Sequence, residues 1–249
     1  MKRLFALILA VLMVASVMML GGCNKKEENI LVMGTNAEFP PYEYYDADGK
    51  TIIGIDAEIA KAVADKLGMK LVIKDMKFDS LLTAVQSGSI DIVFAGLTVT
   101  DERKQSVNFT DTYATGIQAI IVPEGSDIKT ADDLEGKKIG VQTGTTGDIY
   151  CTDDYGQENV KQYDNGALAV AALKNGQIDC VVIDNEPAKQ YVKANQGLSI
   201  LDTEYVQEDY AAAIAKDNKE LAEKVNKAMA ELKADGTIDK IIAKYIKAE

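Results

Sequence analysis

The chain has 249 residues, 27 Lys and Arg against 39 Asp and Glu, no histidine, and a formal net charge of −12. So acidic a surface is a poor partner for nucleic-acid phosphates. The missing histidine removes Ser-His-Asp and Cys-His catalysis and any His-ligated metal, two widely spaced cysteines are no metal site, and Asp46–Lys50 lacks the later glutamate of a calcium loop; no metal or cofactor is expected.

In chain order, Met1-Lys2-Arg3 precedes an apolar run from Leu4 to Leu20 and then Gly21-Gly22-Cys23. A basic start, an apolar core and small residues form a secretory signal over 1–22. Leu20-Gly21-Gly22-Cys23 resembles the bacterial lipobox. That resemblance implies cleavage before Cys23 and a lipid anchor on its sulfur; the alternative is an ordinary cleavage site and a soluble exported protein. Residues 23–29 then read as a solvated tether. Loss of 1–22 removes Lys2 and Arg3 and no acid, leaving 25 cations against 39 anions, a net −14. Cys151 and Cys180 are either a disulfide, which an exported compartment permits, or two buried thiols.

Strands and helices alternate from Ile30 onward. Ile30–Gly34 is a short apolar strand, and Asp46–Lys50 is turn chemistry joining Tyr42–Tyr45 to Ile52-Ile53 as a hairpin. Ile59, Val63 and Leu67 recur every four positions before the stop at Gly68, predicting a helix. Leu71–Ile73 is the next strand, and Asp79 or Ser80 is placed to cap a helix carrying Leu82 and Val85. The run IDIVFAG at 90–96 reads as a buried strand, followed by a helix opened by TDERK with Thr100 as N-cap. Arg103 sits badly in a first turn, where a cation opposes the macrodipole by about 0.3–1 kcal/mol. Either it reaches water, or an anion is expected beside it.

Residues 84–93, AVQSGSIDIV, return at 172–181 as ALKNGQIDCV, five of ten positions identical at an offset of 88. Unless the match is coincidental, the chain holds two related α/β units. The same offset sets Gly96-Leu97-Thr98 equivalent to Asp184-Asn185, at strand ends where open α/β sheets bind ligands. DTYATGIQAIIV after Thr110 suits a crossing to the second unit, and the return is expected near Ile200–Tyr210. Val141–Asp148, VQTGTTGD, runs from a strand through glycines and threonines into a helix, an anion-binding type of junction but not a P-loop. Leu221, Val225, Met229 and Leu232 mark a long helix ending at Gly236. A last helix carries Ile238, Ile241, Ile242 and Tyr245, and both are expected on the first unit.

One fixed cation, Arg103, facing one fixed anion, Asp184, matches a zwitterion such as an α-amino acid. Asp184 has an alternative role as cap of the helix begun by Asn185-Glu186-Pro187. The motifs GTNAEFPPYE at 34–43, GID at 54–56, AGLTVT at 95–100 with Arg103, GTT at 144–146 and Asp184 together resemble solute-binding protein family 3, the receptors of polar amino-acid ABC transporters. The resemblance covers nearly all of the mature chain. It implies a type-II periplasmic-binding-protein fold, α/β, with lobe 1 at 30–117 and 206–249, lobe 2 at 118–205, and two hinge strands between them.

It further implies that Arg103 and the backbone of Thr98 and Thr145 hold the ligand carboxylate. Asp184, the Gly96 carbonyl and the Thr98 hydroxyl take the ammonium. Phe39 would stack on the ligand's side chain, with Tyr42, Asn36, Glu38, Gln142 and Thr146 around it. Members that bind basic amino acids often carry aspartate where this chain has Asn36. Glu38, two residues on and on the same face of an extended segment, is either a substitute carboxylate or a solvated rim residue. The ligand side chain is therefore basic or amide-bearing. The expected partner is a membrane permease that recognises the closed, monomeric receptor on the extracytoplasmic face, with no nucleic acid involved. Two other readings of the fold are a dehydratase of cyclic carboxylic acids and a sensory ectodomain. The first needs a positioned acid or base where Asp184 faces an ammonium; the second needs a membrane span and a signalling domain, which nothing up to Glu249 supplies.

Overall fold

A computed structural model describes residues 29–202 and 205–246. The expected signal segment, the expected lipidation site Cys23 and tether residues 23–28 lie outside the described residues.

Two sheets organise the chain. The first has the order β5-β1-β6-β14-β7, with β1 Ile30–Thr35, β5 Lys70–Asp75, β6 Ile92–Val93, β7 Val107–Phe109 and β14 Ala213–Ala215. The second runs β10-β9-β11-β8-β12, with β8 Ala114–Pro123, β9 Ile139–Gln142, β10 Val160–Tyr163, β11 Cys180–Asp184 and β12 Leu198–Ile200. Chain passes between the two lobes on β8 and on β13 (Val206–Tyr210), which pair antiparallel from Val206↔Gln118 to Tyr210↔Ala114. A small sheet joins β2 Glu38–Phe39, β3 Glu43–Tyr45 and β4 Ile52–Ile53, the hairpin that Asp46–Lys50 turns.

The helices follow their apolar spacing. α1 (Ile55–Lys66) buries Ile55, Ile59 and Val63 on one face and ends before Gly68, whose φ is +66°. Full burial of each such side chain contributes about 1.5–3 kcal/mol. α7 (Lys219–Ala234) and α8 (Thr237–Tyr245) close the chain; both pack against α1 in the first lobe. α2 (Leu81–Gln86) departs from expectation at its start, because neither Asp79 nor Ser80 caps it. A 3₁₀ turn at Phe78–Ser80 runs straight into the helix, so Ser80 already has helical φ/ψ. The strand expected over 90–96 pairs only at Ile92–Val93, since Gly96 turns the chain with φ +52°.

The sequence echo is a structural repeat. After α2, Ser87, Gly88 and Ser89 donate to the carbonyls of Thr83, Val85 and Ala84; after α5 (Gly166–Lys174), Asn175, Gly176 and Gln177 donate to Ala171, Leu173 and Ala172. Every donor and acceptor is displaced by 88 residues. The aspartates that follow act alike: Asp91 accepts the Val32 N–H and Asp179 the Lys138 N–H, both at 2.7 Å. Thus the same helix stop and the same side-chain clamp deliver β6 and β11 to equivalent places. Cys151 and Cys180 are free buried thiols in the second lobe's core, where burial pushes the Cys180 thiol up to about 12.

Candidate functional site

Between the lobes lies a narrow cavity with about 320 Å³ of space not filled by atoms, open solvent at its mouth included. The first lobe contributes Asn36, Phe39, Gly96, Thr98 and Arg103, with Glu43, Phe78 and Ala95; the second contributes Gln142, Thr145, Thr146 and Asp184. A larger, more open groove on the first lobe, against Met229 and Ile238, presents lysines at its edge and no buried charged side chain.

Arg103 is 6% exposed and is the one cation among the residues lining the cavity. It belongs to α3 (Asp101–Ser106), where Thr100 caps by accepting the Arg103 N–H at 3.1 Å. With only six residues, α3 places Arg103 as close to its last turn as to its first, so the dipole conflict expected from sequence is small. The guanidinium lies 5.6 Å from the Phe78 ring centroid, within cation–π range. It donates to the Thr98 carbonyl at 2.8 Å and, across the cleft, to the Gly144 carbonyl at 3.0 Å. Burial pushes its pKa below the usual range, and the charge of Glu208 opposes that shift.

Asp184 ends β11, 7% exposed. It stands at the N-cap position of α6 (Asn185–Ala194) but makes no capping bond, so the helix-cap alternative does not hold. Its carboxylate instead accepts the Tyr210 hydroxyl. Burial first, then the charge of Glu208, pushes Asp184 up to about 7, against hydrogen bonds from Tyr210 and Gln118. Thr98 on the opposite wall donates its hydroxyl to Glu208 at 3.0 Å and meets the Thr146 hydroxyl at 3.4 Å.

Gly96 needs its missing side chain: at φ +52° a Cβ would lie 2.8 Å from Phe39 Cε1. Its N–H donates to Asp56 at 2.7 Å, and Asp56 also accepts the Tyr113 hydroxyl at 2.7 Å. Burial pushes Asp56 up to about 6, and burial with the Asp56 charge raises Glu43 well above the usual carboxylate range.

Three expectations change with the geometry. Glu38 does not line the cavity: its N–H donates back to the Asn36 carbonyl at 2.7 Å, so the chain turns between them and the two side chains do not share a face. Glu38 stands exposed at the rim, accepting from Asn165 of the other lobe at 2.7 Å. Tyr42 lies behind the cavity, 1% exposed, stacked on Phe39 at 5.7 Å and edge-on to Tyr210 at 5.2 Å. The loop at 143–147 also has fewer free donors than its glycines suggest. Asp148 accepts the Gly144 N–H at 2.9 Å, and the Thr145 N–H turns back to the Gln142 carbonyl at 3.3 Å.

Sequence reading also missed Glu208, Gln118, Glu43 and Phe78. For Glu208 a signal exists: in VQEDY the outward residues Gln207 and Asp209 alternate with inward Glu208 and Tyr210, and an acid at an inward strand position asks for a partner.

The sequence from 31 to 248 matches the model of the bacterial extracellular solute-binding proteins, family 3. The chain belongs to that family. It is 34% identical over 257 residues to the arginine-binding extracellular protein ArtP of Bacillus subtilis (strain 168), covering 100% of each. To the L-cystine-binding protein TcyJ of Escherichia coli (strain K12) it is 34% identical over 228 residues, 90% of this chain and 85% of that one. Among solved structures, an ancestral arginine-binding protein bound to glutamine superposes with a TM-score of 0.84 at 45% identity, covering 88% of this chain and 99% of that one. The family-3 fold is thus the two-lobed periplasmic-binding architecture, and the relatives are named as binding proteins rather than enzymes. Among the described residues, no helix of this solute-binding protein is long and apolar enough to cross a membrane.

Proposed function

We propose that this solute-binding protein captures a polar amino acid between its lobes and delivers it to a membrane permease, anchored at the extracytoplasmic face by a lipid on Cys23. The observation that carries this reading is the pair of buried opposite charges, Arg103 and Asp184, lining one cavity from opposite lobes. A guanidinium suits a carboxylate, and a carboxylate flanked by a hydroxyl suits an ammonium. Arg103 and the Thr98 N–H take the ligand's carboxylate, with the Thr145 N–H exchanging its long 3.3 Å bond to the Gln142 carbonyl for it; Asp184, the Thr98 hydroxyl and the Gly96 carbonyl take its ammonium.

Besides Glu43, buried beside Asp56, and the threonine hydroxyls, the remaining polar groups are amides. Gln142 donates to Asn36 at 2.8 Å across the cleft, with the Thr146 hydroxyl on the same wall and Phe39 as an apolar floor. That end fits a long side chain tipped by a guanidinium or a carboxamide, and the relatives named for arginine and the ancestral protein bound to glutamine support the same class. L-Arginine is the first candidate. Because ligand contacts come from both walls, binding favours the closed arrangement by the difference in affinity between open and closed states.

The test is thermal-shift screening of the twenty amino acids with ornithine and cystine. A ligand at about a hundred times its dissociation constant stabilises the protein by about 2.7 kcal/mol, so arginine or glutamine is expected to raise Tm by several degrees. No shift with any amino acid overturns the proposal.

A further inference from the structure

Glu208 is 5% exposed on β13, one of the two strands that link the lobes, and is turned inward with Tyr210 while Gln207 and Asp209 face water. Its Oε2 accepts the Thr98 hydroxyl at 3.0 Å and the Gln118 amide at 3.0 Å. Its Oε1 is buried without a hydrogen-bond partner among the described residues.

A threonine hydroxyl owns a single hydrogen and two lone pairs. With that hydrogen held by Glu208, Thr98 can only accept on its cavity side. Freed from Glu208, the hydroxyl could rotate its hydrogen into the cavity, where it would oppose a cation. Two residues on, the Tyr210 hydroxyl donates in the same way to Asp184. One face of a single strand therefore backs both side chains proposed to receive the ammonium.

We propose that Glu208 is a positioning residue of the ammonium site: it fixes the Thr98 hydroxyl as an acceptor and places a second negative charge behind it, so that ligands are selected for their α-ammonium. This rests on the amino-acid reading above. Arg103 also feels the charge of Glu208 through the shared Thr98, but the ligand carboxylate takes up that cation and so leaves Asp184 and Glu208 facing one cationic group.

Isothermal titration of wild type, Glu208→Gln and Glu208→Ala with L-arginine and with 5-guanidinopentanoate, the same molecule without its α-amino group, tests it. Wild type is expected to prefer L-arginine by about a hundredfold or more, because the analogue leaves buried polar groups unpaired. In Glu208→Ala that preference is expected to fall about tenfold, the worth of a hydrogen bond in a charged network. Glu208→Gln keeps a carbonyl to accept the Thr98 hydrogen and is expected to fall in between. Affinity for the analogue is expected to stay within about twofold in all three proteins. Preference unchanged in both variants, or both ligands weakened equally, overturns the role of Glu208 and leaves the amino-acid reading intact. A wild type that fails to distinguish the two ligands overturns the ammonium clamp itself.

Discussion

The two ends of the cavity differ in how firmly their polar groups are held. At the charged end, Arg103 is fixed by two carbonyls and the Phe78 ring, Thr98 by Glu208, and Asp184 by Tyr210. All three are buried, as are Asn36 and Gln142 at the other end, so the difference lies in their partners. At the amide end, Asn36 and Gln142 bond each other, and Gln142 reaches the Asp164 carbonyl only at 3.3 Å. Removing a buried charge strands its partner at a cost of several kcal/mol, whereas amides exchange one modest bond for another. The charged end thus suits what all amino acids share, and the amide end what separates them.

The largest effect expected is at the first end. Arg103→Ala removes the cation from a desolvated carboxylate site, and such truncations cost about 2–5 kcal/mol. Affinity for L-arginine should fall at least about thirtyfold by titration calorimetry, the lower edge of that range. Far-UV circular dichroism should be unchanged. Binding within twofold of wild type would remove the carboxylate from Arg103 and collapse the distinction between the ends.

Acidification should act at the same end, through Asp184. The groups that face it are Glu208 and Tyr210 on β13, Arg103, Glu43 and Tyr42 from the first lobe, Tyr150 from the second, and the Gln118 amide on β8. A carboxyl held at about 7 gains a proton as the pH falls through 7, and its neutral form no longer balances an ammonium. Affinity should therefore be flat above that value and drop by up to about tenfold per pH unit below it. Stability of the empty protein carries the opposite sign. Between the ordinary carboxylate pKa and 7 the folded chain binds more protons than the unfolded one, so this group's contribution favours folding at the acid side and declines as pH rises. Titrations from pH 5 to 8 on wild type and Asp184→Asn check this; a slope that survives in the variant assigns it to another group.

Sequence reading reached these two ends unequally, for physical reasons. Arg103 and Asp184 are legible because glycine stops punctuate both strand approaches, and because the spacing of 88 residues carries one strand end onto the other. Both features are local and repeat in the chain. Glu38 stands at the rim, one of the two places the sequence left open to it, because a backbone bond from its N–H to the Asn36 carbonyl reverses the face, and nothing in NAEF announces that bond. Asp148 is similar: only the folded loop shows that a side chain of its own satisfies the Gly144 N–H. Glu208 shares a face of VQEDY with Val206 and Tyr210, a signal in the alternation, but its partners Thr98 and Gln118 come within reach only when β13 pairs with β8 at Glu208↔Gly116.

The smallest effect is expected at the amide end, from Asn36→Asp. Asn36 accepts from Gln142 at 2.8 Å and donates to the Met76 carbonyl at 3.1 Å. Aspartate keeps the first bond, loses the second, and sets its oxygen against the Met76 carbonyl, which should cost about 1 kcal/mol of stability. In exchange the side-chain pocket gains a negative charge. A hydrogen bond to a charged group exceeds a neutral one by roughly 1 kcal/mol, so the preference for L-arginine over L-glutamine should rise about fivefold. The ratio of the two dissociation constants, measured on one preparation, is insensitive to the stability loss and isolates the side-chain contact. A ratio that does not move would mean that residue 36 does not read the ligand's side chain, and selectivity would then have to be sought in Gln142 and Thr146 on the opposite wall.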